Sequence, residues 1–262
     1  MSAVLVAVMA VLGAIGGFLA GLLGFGGGVL MFPLLYYVPP LFGLQRLDAK
    51  TVAAVVISQV FFSALVGGLA HSRRGHVHQR LAIVAGTVSA TGSLAGSIVS
   101  KWTSENFLLL LFGIVTLCVL LMMFLPASDY ERDAVPSETL SLATAPLALY
   151  SLATGIVIGF LGAGNFVFVP LLIYVFKVPT RVAIASTLFI ALINSATAFV
   201  GKLITGQIPL VALAVVCGAA IGAVAGEKAN RRVSSRALRI AYAAMVLLIT
   251  IRIWLTIAGI TA

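Results

Sequence analysis

Long apolar runs separated by short polar segments dominate the pattern of the chain. A spanning helix needs about 20 consecutive apolar residues, and six runs meet or approach that length. They cover residues 51–70, 81–100, 107–125, 182–201, 208–225 and 237–257. Only 9% of the 262 residues are charged, whereas a soluble domain carries roughly 25%. The pattern therefore predicts an all-α integral membrane protein whose surroundings are the lipid bilayer.

Two further apolar segments are interrupted by glycines. Residues 3–42 are broken by Gly24-Phe-Gly-Gly-Gly28, and residues 145–176 are broken by Gly162-Ala-Gly-Asn165. Glycine is a poor residue for a helix interior, and the apolar piece after each break is too short to cross a bilayer. Each segment is therefore predicted to form a helix, a break and a returning half-helix.

The two interruptions belong to an internal repeat. Gly21-Leu-Leu-Gly-Phe-Gly26 recurs in the second half of the chain as Gly159-Phe-Leu-Gly-Ala-Gly164. Further matches follow in the same order, among them Gly92-Ser-Leu-Ala-Gly96 with Gly222-Ala-Val-Ala-Gly226. Repeats of this kind are typical of duplicated architectures. We predict a first membrane repeat at 1–125, a polar linker at 126–143 and a second membrane repeat at 144–262, each repeat being one Gly-broken helical hairpin plus three transmembrane helices.

The basic residues indicate how the repeats are oriented. The formal net charge is +9, and the densest basic clusters follow the first full span of one half and the second full span of the other. These clusters are Arg73, Arg74 and Arg80, and then Lys228, Arg231, Arg232, Arg236 and Arg239. Lys and Arg collect in cytoplasmic loops, so the halves are predicted to be inverted relative to each other, with both termini extracytoplasmic. The excess charge has this topological meaning, and no nucleic-acid partner is expected.

The breaks predict a substrate site. Inverted repeats with broken helices are typical of secondary transporters that bind substrate near the bilayer midplane. The start of a helix carries unpaired N–H groups and partial positive charge, and therefore attracts anions. The predicted donors are Gly24, Gly26, Gly27, Gly28, Gly162, Gly164 and Asn165, of which Asn165 is also a favoured N-cap residue. The alternative is that these small residues only allow helices to pack closely.

Polar side chains inside the spans are second candidates for substrate contact. They are Ser58 and Gln59 in one span and Ser186, Thr187 and Asn194 in its repeat partner. Gln59 and Asn194 occupy near-equivalent positions in the two repeats. These side chains either bind anion oxygens or form hydrogen bonds between helices, which are worth about 1 kcal/mol or less each.

Other polar residues receive structural interpretations. Lys50, Lys202 and Arg252 lie near the ends of spans and are expected to snorkel to the membrane surface. Three histidines, at 71, 76 and 78, are expected in a solvated loop rather than at a metal. Cys118 and Cys217 lie in apolar runs and are interpreted as small buried residues. The sequence predicts no metal site, no cofactor and no catalytic constellation, so an enzyme is not expected.

Three segments together resemble one family of permeases. They are Gly21-Leu-Leu-Gly-Phe-Gly-Gly-Gly-Val-Leu-Met-Phe-Pro-Leu-Leu35, Gly159-Phe-Leu-Gly-Ala-Gly-Asn-Phe-Val-Phe-Val-Pro-Leu-Leu172 and Ala183-Ile-Ala-Ser-Thr-Leu-Phe-Ile-Ala191. They look like the sulfite exporter TauE/SafE family of membrane permeases, and the resemblance runs through both halves. It implies transport of sulfite or a related small sulfur-containing or organic anion across the cytoplasmic (inner) membrane. Asn165 and Phe166 stand where the first motif has glycines, so the two half-sites are expected to be unequal.

The sequence thus predicts a secondary transporter for a small anion, working by alternating access. Three alternatives stay open: a passive anion channel with the same donors, a membrane-embedded thiol protein that uses Cys118 and Cys217, and a structural subunit of a larger complex. A proton or Na+ as coupling ion is also open, and no oligomeric state is predicted.

Overall fold

The computed structural model describes residues 3–23, 28–71, 78–122, 144–230, 233 and 235–259. Within these ranges the chain forms helices and no strands, which confirms the all-α fold class. The helices are α1 (Ala3–Leu23), α2 (Gly28–Leu41), α3 (Ala49–His71), α4 (Gln79–Val99), α5 (Glu105–Met122), α6 (Thr144–Leu161), α7 (Asn165–Val175), α8 (Thr180–Ile204), α9 (Ala212–Asn230) and α10 (Ser235–Ile257). The predicted linker at 126–143 lies outside the described residues.

The helices have the length and the surface of membrane spans. Six stretches within the described residues are long and apolar enough to cross a bilayer, and they lie on α1, α4, α5, α6, α8 and α10. Large apolar side chains face outward, for example Ile221 and Leu248, which are 75% and 69% exposed. Such a surface is costly in water but suits lipid. The chain is therefore a multi-pass membrane protein.

The second broken hairpin is present where the sequence predicts it, whereas the first predicted break, at residues 24–27, lies outside the described residues. α1 ends at Leu23 and α2 begins at Gly28, while α6 ends at Leu161 and α7 begins at Asn165. α2 and α7 are about 21 and 17 Å long at 1.5 Å per residue, well short of a hydrocarbon core of about 30 Å. α7 is irregular, since a 3-10 turn leads through a short α-helical piece into a π-helical turn at Leu171–Val175.

Helix packing relates the two halves. α1 packs along α9, α6 packs along α4, α3 meets α8, and α5 meets α10. A β-carbon built on Gly222 would lie closer than 3.0 Å to the carbonyl oxygen of Ala14, and one built on Gly92 would lie 2.5 Å from that of Leu152. Gly92 and Gly222 are equivalent positions in the repeated motifs, and so are Ala14 and Leu152. The contact of Gly222 with Ala14 is therefore equivalent to the contact of Gly92 with Leu152, with the roles of the two halves exchanged. That one half is inverted across the membrane relative to the other stays a prediction.

Several helix ends lie together at one end of the molecule. Arg46, after α2, forms an ion pair with Glu105 at 3.7 Å, and Lys50 Nζ donates to the carbonyl oxygen of Lys101 at 3.0 Å. Gln207, after α8, hydrogen-bonds Ser100 at the end of α4. We call this region the Glu105 end, defined by Arg46, Lys101, Glu105 and Gln207. The start of α4 contacts α8 elsewhere, through a hydrogen bond from the N–H of His78 to Ser186 Oγ.

Candidate substrate site

The start of α2 meets the second break inside the bundle. Gly28, the first residue of α2, lies against the second break and against α3. A β-carbon built on Gly28 would be 3.1 Å from Ala163 Cα and 3.2 Å from Val60 Cγ2. This contact places the start of α2 next to the residues that precede α7. Three other predicted donors, Gly24, Gly26 and Gly27, lie outside the described residues.

Glycine is required in the second break by both conformation and packing. Gly162 has a φ of +68°, a conformation that residues with a β-carbon rarely adopt. A β-carbon there would also lie within 3.0 Å of the carbonyl oxygen of Ala53 and the backbone nitrogen of Ile57. At Gly164 a β-carbon would come to 3.0 Å from the Cα of Ile158. Glycine is therefore needed at both positions, because the turn between α6 and α7 is packed tightly against α3 and α6.

A pair of buried asparagines lies directly after this turn. Asn194 Nδ2, on α8, donates to Asn165 Oδ1 at 2.9 Å and to Ser89 Oγ, on α4, at 3.4 Å. Asn194 is fully buried and Asn165 is 2% exposed. The N-cap position of α7 is Gly164, so the suggestion that Asn165 caps the half-helix is wrong. Its side chain instead ties the second break to α8.

The asparagine pair leaves hydrogen-bonding capacity unused. Asn165 Nδ2, Asn194 Oδ1 and Thr187 Oγ1 are buried without a partner among the described residues. The N–H groups of Asn165 and Phe166, in the first turn of α7, likewise donate to no described residue, as expected for the start of a helix. Each unsatisfied buried group costs about 1–3 kcal/mol. Such groups are suited to a polar molecule that enters the site.

The remaining predicted side chains are distributed along α3 and α8. Ser186 accepts from the N–H of His78 and lies two helical turns, or about 12 Å along the helix, from Asn194. Ser58 Oγ donates to the carbonyl oxygen of Ala54 on its own helix, and Gln59 Nε2 donates to Ser63 Oγ. Ser58 and Gln59 are buried, and these two hydrogen bonds stay within α3. The structure thus brings Asn165 and Asn194 together and separates Ser186 from them.

A stripe of serines on α4 is a feature that sequence reasoning missed. Ser93 Oγ donates to the carbonyl oxygen of Asn194 at 2.8 Å and lies 2.7 Å from Thr197 Oγ1. Ser89, Ser93 and Ser97 recur at every fourth position, and therefore share one face of the helix. That spacing was visible in the sequence and marks the face that packs on α8.

The environments predicted for Lys202, His78 and the two cysteines are wrong. Lys202 does not snorkel, because its side chain is fully buried. His78 is not a solvated loop residue, since it is 7% exposed and its Nδ1 accepts the N–H of Leu81 at the start of α4. Cys118 and Cys217 are free thiols exposed on the outer surface of the bundle rather than buried. Among the described residues no group of three or more His, Cys, Asp or Glu is arranged to hold a metal ion.

A lipid-facing helical bundle in which a half-helix meets a broken helix beside buried polar groups is the architecture of a multi-pass membrane transporter. A model of the sulfite exporter TauE/SafE family matches residues 9–253, and the chain belongs to that family. Its substrate is accordingly a small molecule.

Curated relatives carry transporter names. "Probable membrane transporter protein YunE" of Bacillus subtilis is 28% identical over 251 residues, covering 88% of this chain and 90% of its own length. A "Probable membrane transporter protein" of Xylella fastidiosa strain Temecula1 is 33% identical over 177 residues, covering 67% of this chain and 66% of its own. "Probable membrane transporter protein MJ0441" of Methanocaldococcus jannaschii is 25% identical over 182 residues, covering 69% and 66%. No solved structure matches the chain.

Proposed function

We propose that the protein is a secondary transporter for sulfite, or for a related small sulfur-containing or organic anion, across the cytoplasmic membrane. The observation that carries the proposal is the buried Asn165 Nδ2, which has no partner among the described residues and lies beside the point where the start of α2 meets the second break. An anion oxygen would accept from this amide and from the first-turn N–H groups of α7. Hydrogen bonds to a charged group contribute about 1.5–3 kcal/mol each, which offsets part of the cost of burying the anion.

Alternating access would involve two bodies that do not coincide with the two sequence halves. α1, α3 and α9 pack on one another, and so do α4, α6 and α8. The bodies meet along α3 and α8, where Phe61 stacks on Phe199 with ring centroids 5.3 Å apart. Movement at this interface would open the site first to one side of the membrane and then to the other, as in other transporters with repeated halves.

The test is uptake of radiolabelled sulfite by purified protein in liposomes. Asn165→Ala removes the open amide and is expected to lower kcat/KM about 10- to 100-fold, the equivalent of one hydrogen bond to a charged group. Ser58→Ala is the matched control, because its hydroxyl bonds only its own helix, and it should stay within about twofold. Wild-type uptake by a folded Asn165→Ala protein would contradict the site.

The same liposomes separate a carrier from its alternatives. A carrier shows saturable uptake and counterflow, in which unlabelled anion inside accelerates entry of label. A channel shows neither. A variant with Cys118→Ala and Cys217→Ala should transport normally, and loss of transport in that variant would favour a thiol mechanism instead.

A further inference from the structure

Lys202 is a buried cation that the amide site does not use. It lies in the last turn of α8, where α4 and the segment before α9 approach each other. Its side chain has no exposed surface. Its Nζ donates to Ser100 Oγ at 2.8 Å and to Gln207 Oε1 at 3.3 Å, both of which are neutral. An ammonium group has three donors, so these two contacts do not exhaust it.

No acidic side chain among the described residues pairs with Lys202. Among the described residues the one ion pair joins Arg46 to Glu105, and Glu105 also accepts from the hydroxyl of Tyr36. The other charged groups toward this end are Lys50, Lys101 and Arg252, which are cationic, and Asp48, whose carboxylate accepts the N–H of Thr51 in the first turn of α3. Buried charges in proteins are ordinarily paired. The missing counter-charge indicates an anion supplied from outside the chain.

Lys202 also lies on a polar line that leads to the asparagine pair. It is two helical turns from Asn194 on α8, or about 12 Å along the helix axis toward the Glu105 end. Between them lie Ser93 with Thr197, and then Ser97, whose carbonyl oxygen accepts from Gln207 Nε2 at 3.0 Å. These hydroxyl groups lie along the contact between α4 and α8, from the amide pair to the ammonium group.

We propose that Lys202, with Ser100 and Gln207, forms a second anion-binding station, selective for singly charged oxyanions, between the amide pair and the Glu105 end. This inference rests on the proposed transport of anions. One ammonium neutralises one negative charge, whereas a dianion would leave a net charge in a dry interior, where ionic solvation is poor. Hydrogensulfite, organosulfonates and small carboxylates fit the station, and sulfate does not.

The test measures anion binding as thermal stabilisation of purified protein by methanesulfonate and by sulfate at equal ionic strength. Asn165→Ala serves as the background, since it weakens the amide site and leaves the station. In this background methanesulfonate should still stabilise the protein, and adding Lys202→Met should weaken that binding at least tenfold. Adding Lys101→Met instead, which removes an exposed cation nearby, should change it less than twofold. Lys202→Gln is the second variant if Lys202→Met does not fold.

The outcomes separate this proposal from the proposed function. Equal methanesulfonate affinity with and without Lys202, or equal stabilisation by sulfate, would overturn the station while sulfite uptake by the wild type still supported transport. Lys202-dependent binding in a protein that transports no sulfite would support the station and contradict the substrate. A higher KM for methanesulfonate or sulfite in Lys202→Met, with normal uptake in Lys101→Met, would support both.

Discussion

Individual glycines set how closely the broken helices approach their neighbours. Gly162 and Gly43 share the same backbone conformation, with φ of +68°. They differ in surroundings, because a β-carbon on Gly162 would press on the backbone of α3 at Ala53, whereas one on Gly43 would meet nothing within 4 Å. Comparison of Gly162 with Gly43 therefore distinguishes the conformational role of glycine from its packing role.

Gly162→Ala is expected to destabilise the protein much more than Gly43→Ala. The positive φ alone costs about 1 kcal/mol for a residue with a β-carbon, and overpacking against backbone adds about 1–3 kcal/mol. Thermal unfolding in detergent should show a small loss for Gly43→Ala and, from the sum of these two costs, about 2–4 kcal/mol for Gly162→Ala. Equal losses would mean that α3 does not press on the break.

At the scale of helices, close approach of backbones takes the place of amphipathic packing. Lipid and protein interior are both apolar, so spans associate through small residues and tight contact rather than through a hydrophobic face. Gly222 on α9 and Gly92 on α4 each face a backbone carbonyl of the partner helix, at Ala14 and Leu152. Gly86, also on α4, faces only the flexible end of the Ile193 side chain, at 2.7 Å.

Gly222→Ala and Gly92→Ala are expected to destabilise the protein by similar amounts, about 1–3 kcal/mol each. Gly86→Ala should be close to neutral, because Ile193 can move and alanine gains about 1 kcal/mol in helix propensity. Unfolding midpoints of the three variants check this. A large difference between Gly222→Ala and Gly92→Ala would contradict the equivalence of the two packing contacts.

At the scale of the whole molecule, contacts at the Glu105 end constrain the topology. The ends of α2 and α4 meet there, and Tyr37 near the end of α2 lies 2.7 Å from Thr256 near the end of α10, between hydroxyl oxygens. That both termini lie on the same, extracytoplasmic side stays a prediction, which rests on the basic clusters.

Cysteine accessibility tests that topology in a background of Cys118→Ala and Cys217→Ala. Ser2→Cys and Thr261→Cys should react with an impermeant maleimide in intact cells. Ser128→Cys, in the linker, should react only after the membrane is permeabilised, because that segment is predicted to be cytoplasmic. Labelling of one terminus but not the other would exclude an even number of crossings.

Much of the fold could be predicted, because its signals are local. The break between Leu161 and Asn165 coincides with the predicted glycine cluster, and α2 begins at Gly28, the last residue of the other cluster. Asn165 was identified as a candidate from its place in the second break, and Asn194 from its position inside an apolar run. Their mutual hydrogen bond was not, since they lie on different helices and no local pattern says which face of α8 meets the break.

The wrong predictions of side-chain environment have a common physical origin. The sequence interpretation placed Lys202, His78 and the two cysteines by their distance from the end of an apolar run. That distance indicates how deep a residue lies in the membrane, but not whether its side chain faces lipid or the protein interior. In spans that are apolar on every side, periodicity does not distinguish a lipid-facing position from an interior one. Lys202 is buried because α4 and Gln207 close over it, and α4 is distant from it in sequence.

The sequence by itself determined the class of protein, the all-α fold and the second break, since hydrophobic length and glycine placement act locally along the chain. Tertiary structure decided which polar groups share a site. It joined Asn194 to Asn165 and Ser89, paired Ser186 with His78, and enclosed Lys202 among neutral partners. The physical reason is that side-chain direction in a uniformly apolar helix is set by the helix packed against it, and these pairings join helices far apart in the chain.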